Sequence, residues 1–193
     1  MLNMLIEILL SMLLLIPVFC VLNKCRFHDS KKTALYFVFA TYLSAVYLLV
    51  GMPTLQFMRF DLSLTLMPFL PMIDDLKNTI LNIILFIPLG IQLPFLWKKY
   101  NTQKATAVFG VMMSLFIELL QLFTFRTTDI NDLIANTMGT LFGYFLFRLI
   151  LHFVPSVRNF AQRKNEVTVV IIPVILVMFF VQPYLASIYY KIT

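Results

Sequence analysis

Four stretches of this chain run sixteen residues or more without a charged side chain: Ile8–Asn23, Thr33–Met58, Asn78–Trp97 and Val167–Tyr190. In a helix rising 1.5 Å per residue, about 20 mostly apolar residues cross the hydrocarbon core of a bilayer. Two further windows qualify if one or two polar residues are tolerated. These are Ala105–Thr124, which holds Glu118, and Ile130–Leu151, which holds Asp132 and Arg148 near its ends. The expected fold is therefore all-α: a polytopic integral membrane bundle with about six transmembrane helices. They are placed at 3–22, 33–52, 79–97, 105–124, 130–151 and 167–188. Pro173 and Pro183 interrupt the last window, which reads as one kinked helix or as two shorter pieces, because proline frees a backbone carbonyl inside a helix.

Composition closes off the other classes. Apolar residues make up 61% of the 193 residues and charged residues 12%, against roughly 45–50% and 25% in soluble domains. Five Gly and two Cys leave no room for a collagen or a disulfide scaffold, and Cys20 and Cys25 lack the C-x-x-C spacing of redox or zinc sites. The net charge of +6 comes from basic residues in short groups between apolar runs, the placement expected beside a membrane. Nucleic-acid binders instead gather basic residues on an exposed face. The expected partner is membrane lipid, with no nucleic acid.

An N-terminal signal peptide needs a basic start and a small-residue cleavage site. Met1–Glu7 has neither Lys nor Arg, and bulky Phe19 precedes Cys20, so a retained first helix is expected. Sidedness follows the Lys/Arg bias. With both termini outside, eleven of the fifteen basic residues face the cytoplasm: Lys24, Arg26, Lys31, Lys32, Lys98, Lys99, Lys104, Arg148, Arg158, Arg163 and Lys164. Arg59, Lys77, Arg126 and Lys191 stay outside, together with Asp61, Asp74, Asp75, Asp129 and Asp132.

The chain divides into residues 1–58 with two helices, a core over 59–150, and 151–193 with a cytoplasmic loop and the last helix. The long connection 53–78 carries Pro53, Pro68 and Pro71 and alternates apolar and polar residues over Leu62–Leu66. It reads as a partly re-entrant or interface-lying loop at the outer face, or as a plain connector.

An ionised side chain at the centre of a span costs roughly 2.5–3.5 kcal/mol on insertion scales, so polar residues inside the spans point to function or to helix pairing. Glu118 shares a helix face with Gly110, Ser114 and Gln121. Its roles divide between a functional carboxylate and a structural hydrogen bond between helices. Span five begins with Asp129, Asp132, Asn136, Gly139 and Gly143, all on one face. Asp129 reads as a pocket residue or as the N-cap. Asn82, near the outer end of span three, brings that helix to the same side. Asn82, Glu118, Gln121, Arg126, Asp129, Asp132 and Asn136 are thus the candidate ligand-binding residues. Glu7 is expected to be solvated. His28 and His152 fall at the opposite side, which argues against His-ligated zinc and Ser-His-Asp chemistry here. No resident metal or cofactor is expected, although Glu118, Asp129 or Asp132 leave carboxylate binding of Mg²⁺ or Ca²⁺ open.

These residues carry a resemblance. Asn82-x-x-x-Phe86-x-Pro88-Leu89-Gly90, then Glu118-x-x-Gln121, then Arg126-x-x-Asp129-x-x-Asp132-x-x-x-Asn136-x-x-Gly139 resemble the motifs of the VanZ-like family of bacterial membrane proteins. Leu66-Met67-Pro68-Phe69 is similar to another family element but lacks its Asn. The resemblance covers about residues 59–150. It implies a multi-pass protein of the bacterial cell membrane, in a family associated with teicoplanin-type glycopeptide resistance in Gram-positive bacteria. The implied role is to lower susceptibility to such drugs by engaging an amphiphile, namely a lipid-linked cell-wall precursor or a lipoglycopeptide, at the outer leaflet. The alternative is an intramembrane enzyme acting on a lipid or lipid-linked head group, with Glu118 and Asp132 as the catalytic candidates.

Overall fold

The structure is a computed structural model that describes residues 2–56, 58, 60, 64–65, 75–124, 128–155 and 165–192. Seven helices are described: α1 (Leu2–Leu22), α2 (Ser30–Leu49), α3 (Leu76–Leu96), α4 (Gln103–Gln121), α5 (Ile130–Phe153), α6 (Val167–Leu176) and α7 (Gln182–Ile192). A π-helical turn, Val177–Val181, joins α6 to α7. The last span is therefore one continuous run, Val167–Lys191. The widened turn begins four residues after Pro173, and such turns absorb local irregularity in a helix. Another, Asn23–Phe27, extends α1. Among the described residues, six helical runs are long and apolar enough to span a bilayer. The expected all-helical, six-span membrane architecture is what the chain adopts.

The boundaries have local causes. The Asp29 carboxylate caps α2 by accepting from the backbone N–H groups of Lys31 (2.9 Å) and Lys32 (3.1 Å), so that helix begins three residues before the expected start. It ends at Leu49 because Gly51 takes the left-handed conformation (φ 62°). There the Gly51 N–H donates to the Leu48 carbonyl and the Met52 N–H to that of Tyr47, the paired bonds of a glycine-terminated helix. Asp75 caps α3 and Thr102 caps α4. Helix α3 continues through both Pro88 and Pro94.

The burial pattern departs from that of a soluble protein, because large apolar side chains such as Phe39, Phe86 and Phe147 fill the interior while many others lie outside. Ser11, Ser44, Thr106, Ser114, Glu118, Gln121, Asn136 and Thr140 are buried, while Leu9, Leu13, Met112, Phe142 and Phe153 are exposed. Three of the inward hydroxyls are satisfied within their own helices: Ser11 Oγ donates to the Ile8 carbonyl, Ser44 Oγ to Ala40 and Thr140 Oγ1 to Asn136. A chain with water outside could not leave so much apolar surface uncovered, whereas lipid tails are as apolar as leucine.

The helices form two compact units, Met1–Met58 with Glu166–Thr193, and Arg59–Asn165. In the first, Lys32 Nζ pairs with Glu166 Oε2 at 2.5 Å, and the Tyr36 hydroxyl donates to the same oxygen at 3.0 Å. This joins α2 to the start of α6. At the other end of that unit the Tyr190 hydroxyl donates to Glu7 Oε1 at 3.1 Å. Glu7, expected to be solvated, makes this exposed bond where the start of α1 meets the end of α7.

In the second unit α3 and α5 approach backbone to backbone. A Cβ on Gly90 would collide with the Thr140 carbonyl, one on Gly139 with that of Ile83, and one on Gly143 with that of Ile87. Ile83 meets Gly139 and Ile87 meets Gly143, so the helices run in the same direction. Gly110 of α4 fits against the Thr140 side chain, and buried Thr106, Gly110, Ser114, Ile117, Glu118 and Gln121 form its inward stripe. Residues Leu64–Thr65 of the long connection pair in parallel with Thr128–Asp129, bringing that connection to the start of α5.

Gly143→Val should lower the stability of the purified protein by about 1–3 kcal/mol or more, the range for overpacking, because its new side chain meets backbone that cannot step aside. Phe142→Leu, on an exposed position, should stay within about 0.5 kcal/mol. Thermal unfolding in detergent micelles compares the two, and equal stability would contradict the close approach.

Candidate functional site

The first turns of α3 and α5 and the last turn of α4 lie at one end of the second unit. Asn82 is six residues into α3 and Asn136 six into α5, each about 9 Å along its helix. Glu118 is three residues, about 4.5 Å, from the end of α4, shallower than expected because the helix stops at Gln121 rather than Thr124.

Asn82 Nδ2 donates to Asp132 Oδ1 at 2.6 Å, tying α3 to α5. The Asp129 backbone N–H donates to Glu118 Oε2 at 3.0 Å, tying α5 to α4. Deeper, Asn136 Nδ2 donates to Ser114 Oγ at 2.9 Å. Glu118 and Gln121 are each only 4% exposed and Asn136 3%. Glu118 thus turns inward at the α4–α5 junction, and its partner is a backbone amide at a helix N-terminus, where partial positive charge favours an anion.

The Asp129 side chain serves as the α5 N-cap: Oδ1 accepts from the Asn131 N–H at 2.9 Å and from Asn131 Nδ2 at 2.7 Å. One residue therefore caps with its carboxylate and holds Glu118 with its backbone. Arg126 lies outside the described residues, as do Leu66–Phe69. Asn78, on α3, is exposed and turned to its own cap, Asp75.

Two residues passed over in the sequence reading take part. Asn131 is buried beside Asp129, a role hidden by its place between two acids. Thr140 is fully buried, bonded to Asn136 and wedged against Gly110. Its spacing of four from Asn136 was the available signal. Within the cluster, Asn136 Oδ1 is buried and has no hydrogen-bond partner among the described residues. An acceptor left so in a dry interior costs about 1–3 kcal/mol, so this position suits a hydroxyl, ammonium or water donor. Among the described residues no group of three or more His, Cys, Asp or Glu side chains is arranged to hold a metal ion. His28 and His152 are exposed.

Residues 39–152 match the VanZ/LLP1 family. The chain is 31% identical over 117 residues to Protein VanZ of Enterococcus faecium, an alignment covering 60% of this chain and 68% of that protein. No solved structure matches.

Glu118→Ala strips the Asp129 amide of its acceptor and should cost about 1–3 kcal/mol, the range for leaving a buried donor unsatisfied. Glu118→Gln keeps an oxygen there and should cost less. Asn82→Ala and Asp132→Ala, singly and together, should show a coupling of about 0.5–3 kcal/mol. Denaturation in micelles measures all of these, and strictly additive losses would mean that the two side chains do not interact.

Proposed function

The chain belongs to the VanZ/LLP1 family, and on that premise we propose that it lowers susceptibility to teicoplanin-type lipoglycopeptides at the outer leaflet of a bacterial cell membrane. The observation that carries the reading is the convergence of α3, α4 and α5 on the Asn82–Asp132, Glu118–Asp129 and Ser114–Asn136 bonds at one end of the unit. Polar groups gathered at membrane depth are costly and mark ligand sites. Here they lie within about 11 Å of the helix ends, the depth at which a head group enters from the interface.

The ligand is an amphiphile, either a lipid-linked cell-wall precursor or the drug itself. Its hydroxyl or amine groups suit the unmatched Asn136 oxygen and the carboxylates of Glu118 and Asp132. Arg126, three residues before Asp129 in the chain, is the candidate for its anionic part. Tails then lie along exposed apolar residues of the same helices, such as Leu119 of α4 and Met138 of α5. The site engages its ligand without destroying the drug.

The reading requires this end of the unit to face outward, with both termini outside. In intact cells Cys25 should resist a membrane-impermeant maleimide. Lys191→Cys, in a chain with Cys20→Ser and Cys25→Ser, should react. The reverse pattern overturns the topology. Expression in a sensitive Gram-positive host should raise the teicoplanin concentration needed to stop growth. Asn136→Ala should abolish that rise while the protein still reaches the membrane. An unchanged threshold with confirmed membrane expression counts against the function itself.

A further inference from the structure

At the opposite end of the second unit lies a feature that the proposed function does not use. Between residues 76 and 117, and again between 133 and 165, the sequence contains no Asp or Glu. The described acids of this unit, Asp75, Glu118, Asp129 and Asp132, all sit at the other end of its helices. Here, by contrast, Lys98, Lys99 and Lys104 are exposed in the connection between α3 and α4 and its edge, and Arg148 and His152 are exposed on the last turns of α5. The Tyr144 hydroxyl donates to the Asn101 carbonyl at 3.1 Å, so the basic connection is fastened to α5 one turn before Arg148.

A groove of about 540 Å³ runs along this part of α5, lined by Phe145, Arg148, Leu149, Leu151, His152 and Pro155. Arg148 and His152 are four residues apart and share a helix face. The apolar lining beside them consists of Leu149 and, nearly one turn closer to the middle of the span than Arg148, Phe145, each 53% exposed. Arg148 is 18 residues from the start of α5. At 1.5 Å per residue that is about 27 Å, close to the ~30 Å thickness of the hydrocarbon core, which puts its guanidinium at head-group level.

We propose that this groove is a binding site for a membrane phospholipid with an anionic head group. The Arg148 guanidinium takes the phosphate in its planar fork of donors. The His152 ring supplies an N–H, which imidazole offers in either protonation state. One acyl chain follows Leu149 and Phe145 toward the bilayer centre. Charge complementarity selects this occupant: a zwitterionic lipid brings no net charge to an end of the unit whose described residues include five basic side chains, counting His152, and no acid. The inference depends on the span and not on which face of the membrane this end meets, so it stands or falls apart from the drug-susceptibility reading.

The test is native mass spectrometry of the full chain in detergent micelles, titrated with phosphatidylglycerol or with phosphatidylcholine of the same acyl chains. Phosphatidylglycerol should be retained in preference, and Arg148→Gln should weaken its retention about fivefold, the effect of one basic residue at an anionic lipid surface. Arg148→Lys, which keeps the charge and loses the fork, should recover only part of the retention, and Lys77→Gln, at the far end of α3, should leave it unchanged. Unaltered thermal unfolding identifies the variants as folded. Equal retention of the two lipids overturns the proposal, as does an Arg148→Gln variant that matches wild type. Displacement by free sn-glycerol 3-phosphate would reveal a soluble-phosphate site and overturn it too.

Discussion

The second unit depends on the backbone contact between α3 and α5 at Gly90, Gly139 and Gly143. Within lipid there is no hydrophobic gain from pressing one apolar helix on another, so association rests on close packing and interhelical hydrogen bonds. Removing the side chain at three facing positions allows carbonyl and Cα atoms of the two helices to touch. That contact fixes how the helices are rotated and shifted against each other. Asn82 reaches Asp132 only because this shift is fixed, and Thr140 occupies the space left by Gly110 on the third helix.

Once the helices are locked this way, the polar cluster follows from a shortage of alternatives. A carboxylate or amide facing lipid has no water to turn to, and each polar residue in the cluster points inward to a neighbouring helix or to backbone. Asn82 serves Asp132, the Asp129 amide serves Glu118, and Asn136 serves Ser114. Glycines and polar side chains are therefore parts of one device. The glycines bring the helices close enough for short side chains to bridge, and the bridges select the arrangement in which the glycines meet.

The positions of the six spans were legible because charge ends an apolar run sharply. Their exact limits were not, since those depend on caps such as Asp29 and on the left-handed Gly51, which act over two or three residues. The inward faces of α4 and α5 were legible from spacing: Gly110, Ser114 and Glu118, or Asp132, Asn136 and Gly139, recur at three and four residues and are drawn to one side by helical geometry. What spacing could not give was who pairs with whom. Asn82 and Asp132 are 50 positions apart, and Glu118 takes a backbone amide, a partner every residue can offer. Lys32, Tyr36 and Glu166 were illegible together for the same reason, since about 130 residues separate Tyr36 from Glu166.

Three acids, Glu118, Asp129 and Asp132, gather at the N-terminus of α5, and like charges that close must be offset. Part of the offset comes from the helix itself. Its first N–H groups have no intrahelical acceptor and its dipole presents about half a positive charge there. Asp129 satisfies one such group through the Asn131 N–H, and Glu118 takes the amide of Asp129 just before the helix begins. The helix terminus that would otherwise need capping thus becomes the anchor of the site, with acids drawn to its positive end. The carboxylates gathered at this end of α5 thus have part of their charge balanced from behind by the helix they cap.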